Sequence, residues 1–181
     1  MRMHLAALLL ASAAASTLVV RAQAEPDTAT ALTLQVGGAV EAPSSMTNEE
    51  LRSRCEDDLE QVTYTIRGEQ HQATCIALAK LVAQARPKLP EGRNHPDLAF
   101  VVAVRARDGY TASFSFGELD AMLGGAKAYV ALDHDGKPLS EKHAPAELIV
   151  TSDKKGSRGV RAIESIEVID LAERSRQATA R

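Results

Sequence analysis

Tryptophan is absent from the 181 residues, and three tyrosines and three phenylalanines are the only other aromatics. A stacking platform for sugars or bases therefore has little material. The loops that mark common chemistries are missing too: there is no Gly-x-Gly-x-x-Gly, no Gly-Lys-Ser/Thr phosphate loop and no Gly-x-Ser-x-Gly elbow. Neither Cys-x-x-Cys nor His-x-x-x-His occurs, and His71, His95, His134 and His143 are scattered. That spacing reads them as polar surface or turn residues rather than ligands. The sequence names no catalytic residue and no metal ligand.

Positive charge is also in short supply, since the net charge is −3, which argues against nucleic acid or anionic lipid as the main partner. The one long uncharged run, residues 5–20, is rich in Ala and Ser and falls short of the ~20 residues of a spanning helix. It follows the basic start Met1-Arg2-Met3-His4 and precedes an Ala22-Gln23-Ala24 cleavage site. Residues 1–24 therefore read as a cleaved signal peptide, with a retained anchor as the alternative. The mature protein is expected in the periplasm or outside the cell, with no membrane span after cleavage. The two cysteines, Cys55 and Cys75, lie in the mature part. An oxidising compartment and an even count predict a Cys55–Cys75 disulfide, and two free buried thiols are the other reading.

Residues 25–31 read as a flexible lead-in, 32–171 as one domain and 172–181 as a frayed tail. Leu32 to Val36 alternates apolar and polar residues as a half-buried strand does. Thr47-Asn48-Glu49-Glu50 matches a capping box that starts a short helix. Alternation predicts a strand over 61–67, a turn at 68–70 and a second strand near 71–74. Leu78, Leu81, Val82 and Ala85 form the stripe of an amphipathic helix that Pro87 ends. Further strands are expected at 98–104, 110–114, 128–132, 147–151 and 163–169, with Asp-Gly turns at Asp108-Gly109 and Asp135-Gly136. A second capping box, Ser115 to Glu118, starts a third short helix. Strands and helices do not alternate regularly, so the expectation is a single α+β domain, strand-rich with three short helices.

One constellation stands out. Lys154, Lys155, Arg158 and Arg161 crowd positive charge around Gly156 and Gly159. Glycines let backbone approach a ligand, and these side chains bind phosphate or carboxylate through charge-assisted bonds. A solvated loop between two strands is the plainer alternative.

From Asp108 onward the chain resembles the C-terminal half of a sulfite-oxidase-like molybdopterin-binding domain. The resemblance runs through Asp108-Gly109-Tyr110, Phe114 to Asp120, Tyr129 to Leu132 and Asp135 to Leu139. It continues in Pro145 to Val150, Lys154 to Arg158, Val160-Arg161 and Ile163 to Val168. Earlier, Val36 to Pro43 and the helix start at Thr47 resemble the family's opening strand and first helix. The resemblance implies a mixed α+β fold around a molybdenum pterin, in enzymes that act on small oxyanions or sulfoxides. By position it implies that His143, Lys154, Lys155, Ser157, Arg158 and Arg161 meet the pterin phosphate.

The chain departs from that pattern where the metal should be held. The family's ligating cysteine falls after the first helix, where this sequence has Tyr64-Thr65-Ile66-Arg67-Gly68. A basic residue of the family is replaced by Glu147, and the leader has no twin-arginine pair for exporting a preloaded protein. The expectation is a non-catalytic module without bound molybdenum or other cofactor, taking a small anionic ligand or a periplasmic protein partner. A molybdopterin-dependent oxidoreductase with an unusual ligand and a purely structural domain are the alternatives.

Overall fold

Period-two alternation builds most of this molecule. The computed structural model describes residues 32–92 and 94–179; the expected signal peptide (1–24) and lead-in (25–31) lie outside the described residues. In chain order the elements are β1 (Leu34–Gly38), β2 (Ser44–Met46), α1 (Asn48–Arg54), β3 (Leu59–Ile66), β4 (Glu69–Ala77), α2 (Leu78–Gln84), β5 (Phe100–Ala106) and β6 (Thr111–Ser115). There follow α3 (Phe116–Leu119), β7 (Ala128–Ala131), β8 (Asp133–His134), β9 (Lys137–Pro138), β10 (Glu147–Val150), β11 (Ile163–Asp170) and α4 (Leu171–Thr179).

A five-stranded sheet has the order β2-β1-β11-β5-β6, and a four-stranded one the order β10-β7-β4-β3. The β1–β11 pair is parallel and the other neighbours are antiparallel. The main core lies between the sheets: Val36, Val102 and Ile166 from the first meet Ile76, Val130 and Leu148 from the second. Leu78, Leu81, Val82 and Ala85 are all buried there, as the helical stripe requires. The mixed α+β class read from the sequence is the class of the structure.

Three local expectations are corrected. Pro43-Ser44-Ser45 reads from the sequence as a loop, whereas Ser44–Met46 forms β2 at the edge of the first sheet. Residues 172–181, read as a frayed tail, carry a fourth helix through Thr179, although its side chains stay largely exposed. The expected Cys55–Cys75 disulfide is not formed: both thiols are free and buried. Cys55 packs in the main core with Ile76, whereas Cys75 belongs to a second cluster with Val62, Tyr64, Ala73 and Ala131. Successive residues of a strand face opposite ways, so Cys75 and the core-facing Ile76 put the two thiols on opposite faces of the four-stranded sheet. Burial pushes the Cys75 thiol up to about 12 and raises that of Cys55 as well.

The β8–β9 hairpin is fixed by side chains acting as a strand. Beyond the β4–β7 ladder, Leu132 and Asp135 donate backbone N–H to the carbonyls of Thr74 (2.9 Å) and Gln72 (2.7 Å). The matching acceptors are carboxylates: Asp133 Oδ1 takes the Thr74 N–H and Asp135 Oδ1 the Gln72 N–H, each at 2.9 Å. Arg52 of α1 meets Asp133 Oδ2 at 2.8 Å, and Asn48 Nδ2 donates to Leu132 O and Pro145 O. Asp133 is buried, so losing its carboxylate strands a backbone N–H and a guanidinium. We expect Asp133→Ala to cost about 2 kcal/mol, read as a lower chemical-denaturation midpoint, whereas Asp97→Ala on the surface should change little.

Candidate functional site

The outer strands of the four-stranded sheet, β3 and β10, both line one cleft of about 960 Å³. Tyr64 and Glu147 lie on these two walls, the β5–β6 hairpin contributes Tyr110, and the loop after β10 contributes Lys154, Gly156 and Arg161. The basic loop is thus one rim of a concavity. Lys154 and Arg161 are exposed where they line it, and Tyr64 and Glu147 are buried.

Only part of the sequence-predicted set meets there. Lys154 and Arg161 line the cleft, and His143, Lys155, Ser157 and Arg158 do not. Arg158 is held elsewhere: its Nε and Nη2 donate to both oxygens of Asp153 (2.8 and 2.5 Å), and Nη1 donates to Glu118 Oε1 (2.5 Å). The guanidinium also lies 4.6 Å from the centre of the Phe114 ring. Three of its five N–H donors are engaged by two carboxylates of the protein, so it clamps the loop. The same clamp alters the second capping box. Ser115 accepts from Glu118 N (3.0 Å), but the Glu118 side chain goes to Arg158. Ser157 offers its carbonyl to Tyr110 Oη. Lys155 is exposed.

Glu147 sets the electrostatics of the cleft. Its side chain is 12 % exposed, with Oε1 3.1 Å from His143 Nδ1 and 3.9 Å from Arg161 Nε. Burial raises its carboxyl above the usual range, opposed by the nearby positive charges of His143, Arg161 and His134. Tyr64 responds in the same sense: burial, then the negative charges of Glu147 and Asp135, push its phenol up to about 12. Glu147 is thus easier to protonate than an exposed carboxyl, and Tyr64 keeps its phenol proton.

Around Tyr64 is a group that sequence reasoning passed over. Tyr64 Oη lies 2.6 Å from His134 Nδ1. His71 Nδ1 and His134 Nε2 both face Asp135 Oδ2, at 2.9 and 3.5 Å. Read singly, His71 is a strand residue and His134-Asp135 a turn. The signal that unites them is hairpin register, since Tyr64 pairs directly with His71 across β3 and β4.

Comparison with known proteins adds no identification: no family model matches the sequence, and no curated protein matches it. Among the described residues, no helix is long and apolar enough to cross a membrane.

The assignment of Arg158 to structure has a direct consequence. Arg158→Ala should lower stability by about 1–2 kcal/mol, through two partly exposed ion pairs and one cation–π contact. Lys155→Ala should leave it unchanged. Thermal melting at matched ionic strength separates the two, and equal melting temperatures would contradict the clamp.

Proposed function

We propose that this chain is the binding domain of an exported protein, similar to the sulfite-oxidase-like molybdopterin-binding domains, that takes a small phosphate- or carboxylate-bearing anion in the cleft between β3 and β10. The observation that carries the reading is the joint lining of that cleft by Lys154 and Arg161, with glycine backbone between them and the Glu147 carboxyl raised by burial. Exposed cations at a concave rim attract an anion, and Gly156 and Gly159 allow it near the main chain. Burial of Glu147 against His143 and Arg161 keeps its carboxyl from opposing that attraction in full.

The residues present do not fit molybdenum. The family's metal needs a thiolate, and no cysteine among the described residues lines the cleft. Cys75 is fully buried, with its thiol held protonated far above neutral pH. The pterin phosphate is one member of the anion class that the rim suits, and nothing in the reading requires a metal or a redox step.

Titration calorimetry against pterin and nucleotide phosphates at low salt tests this. At least one should bind, more weakly as salt rises, and Lys154→Ala with Arg161→Ala should weaken it about tenfold without lowering the melting temperature. Because the Glu147 carboxyl is raised, it takes up its proton at higher pH than an ordinary carboxylate does. Affinity should then rise as pH falls through that range, and Glu147→Gln should bind more tightly at neutral pH and lose this rise. Failure of every ligand at millimolar concentration would remove the proposal in favour of a solvated loop.

A further inference from the structure

We propose that His71, His134 and Asp135 form a binding site for a single divalent transition-metal ion such as Zn²⁺, at the turn of the β8–β9 hairpin. The three donor atoms lie within 4.8 Å of one another. Two of the three edges are short, with His71 Nδ1 and His134 Nε2 at 2.9 and 3.5 Å from Asp135 Oδ2. A tetrahedral ion with bonds of about 2.0–2.1 Å sets its ligand atoms roughly 3.3 Å apart, and the two edges bracket that spacing. Two imidazole nitrogens and a carboxylate oxygen suit a borderline ion such as Zn²⁺ or Cu²⁺, and not the hard Mg²⁺ or Ca²⁺.

The site is held in place before any ion arrives. Asp135 and Gly136 take positive φ angles of 51° and 72°, the pattern of the two-residue turn that suits strand twist. The Asp135 backbone N–H and its Oδ1 are both engaged with Gln72, which leaves Oδ2 to face the two rings. The Gln72 N–H and then His71 keep this carboxyl below the usual range. The ring centroids of His71 and His134 lie 4.6 Å apart with a 36° tilt, and one nitrogen of each faces Asp135 Oδ2.

His134 also has the outer partner that metal-bound histidines require. With Nε2 on the ion, Nδ1 carries the proton and donates it to Tyr64 Oη at 2.6 Å. Tyr64 is the residue that this site shares with the cleft wall. The two histidines are not needed to hold the turn, which Asp133, Asp135 and backbone already fix. The His71 and His134 side chains are nonetheless 19 % and 38 % exposed, so an ion can enter and keep coordination positions for water or an incoming anion.

The test is Zn²⁺ titration calorimetry on purified untagged protein, with Co²⁺ as a spectroscopic probe. The expected result is about one ion per chain and visible Co²⁺ bands of low-coordinate type. His71→Gln with His134→Gln should weaken binding by about a hundredfold or more, and Tyr64→Phe by about tenfold, as outer-shell changes do. Asp135→Asn, which keeps an acceptor for the Gln72 N–H, should also weaken it, and far-ultraviolet circular dichroism checks that each variant is folded. Lys154→Ala with Arg161→Ala should leave Zn²⁺ binding unchanged, so the metal site stands or falls apart from the anion site. No binding of Zn²⁺, Co²⁺ or Cu²⁺ at millimolar concentration would overturn the proposal. So would binding that survives loss of both histidines.

Discussion

Two carboxylates standing in for strand carbonyls hold the functional end of this domain together. β4 extends six residues, Glu69 to Thr74, beyond its pairing with β7, and its Thr74 and Gln72 N–H groups would otherwise face no backbone acceptor. A buried backbone donor without a partner costs as much as a lost hydrogen bond. Asp133 and Asp135, two positions apart and so on one side of the hairpin, supply the missing acceptors. Asp133 then draws in Arg52, which Asn48 Oδ1 also engages at 3.1 Å. One short hairpin thereby joins α1, β4 and the segment before β10.

That constraint explains where chemistry gathers. Pinning the hairpin to β4 brings His134 to Tyr64 and Asp135 to His71, on the face of the sheet that looks away from the main core. Ala73 and Ala131 pack on this face with Val62, Tyr64 and Cys75. The basic loop is kept by a different device. Arg158 ties the glycine-containing loop to Asp153 and to Glu118 of α3, which leaves Lys154 and Arg161 turned outward. The hairpin is thus fixed with carboxylates, and the loop that lines the cleft is fixed with a guanidinium.

Much of this was legible in the sequence where the signal was local. The Thr47 capping box forms with Glu50 N to Thr47 Oγ1 at 3.2 Å and Thr47 N to Glu50 Oε2 at 2.8 Å. The stripe on α2 and the Asp135-Gly136 turn are likewise where pattern places them. What escaped depended on register. A turn at 68–70 would set His71 opposite Arg67, but the turn is Arg67-Gly68, with φ of 52° and 90°, and His71 meets Tyr64. A shift in pairing changes which side chains share a face, and so the histidines read as scattered. The disulfide reading failed for a related reason: closeness along a hairpin says nothing about which face each thiol occupies. Among the basic residues, type alone did not reveal that Arg158 has acidic partners 5 and 40 positions away.

Amide hydrogen exchange at Gln72 and Thr74, followed by nuclear magnetic resonance, is the most direct check on the hairpin constraint. If Asp133 and Asp135 complete the ladder, both N–H groups should exchange about as slowly as that of Ala73, which pairs with β3 on the other side. Exchange of Gln72 and Thr74 at rates near those of an unstructured chain, with Ala73 still protected, would contradict the account.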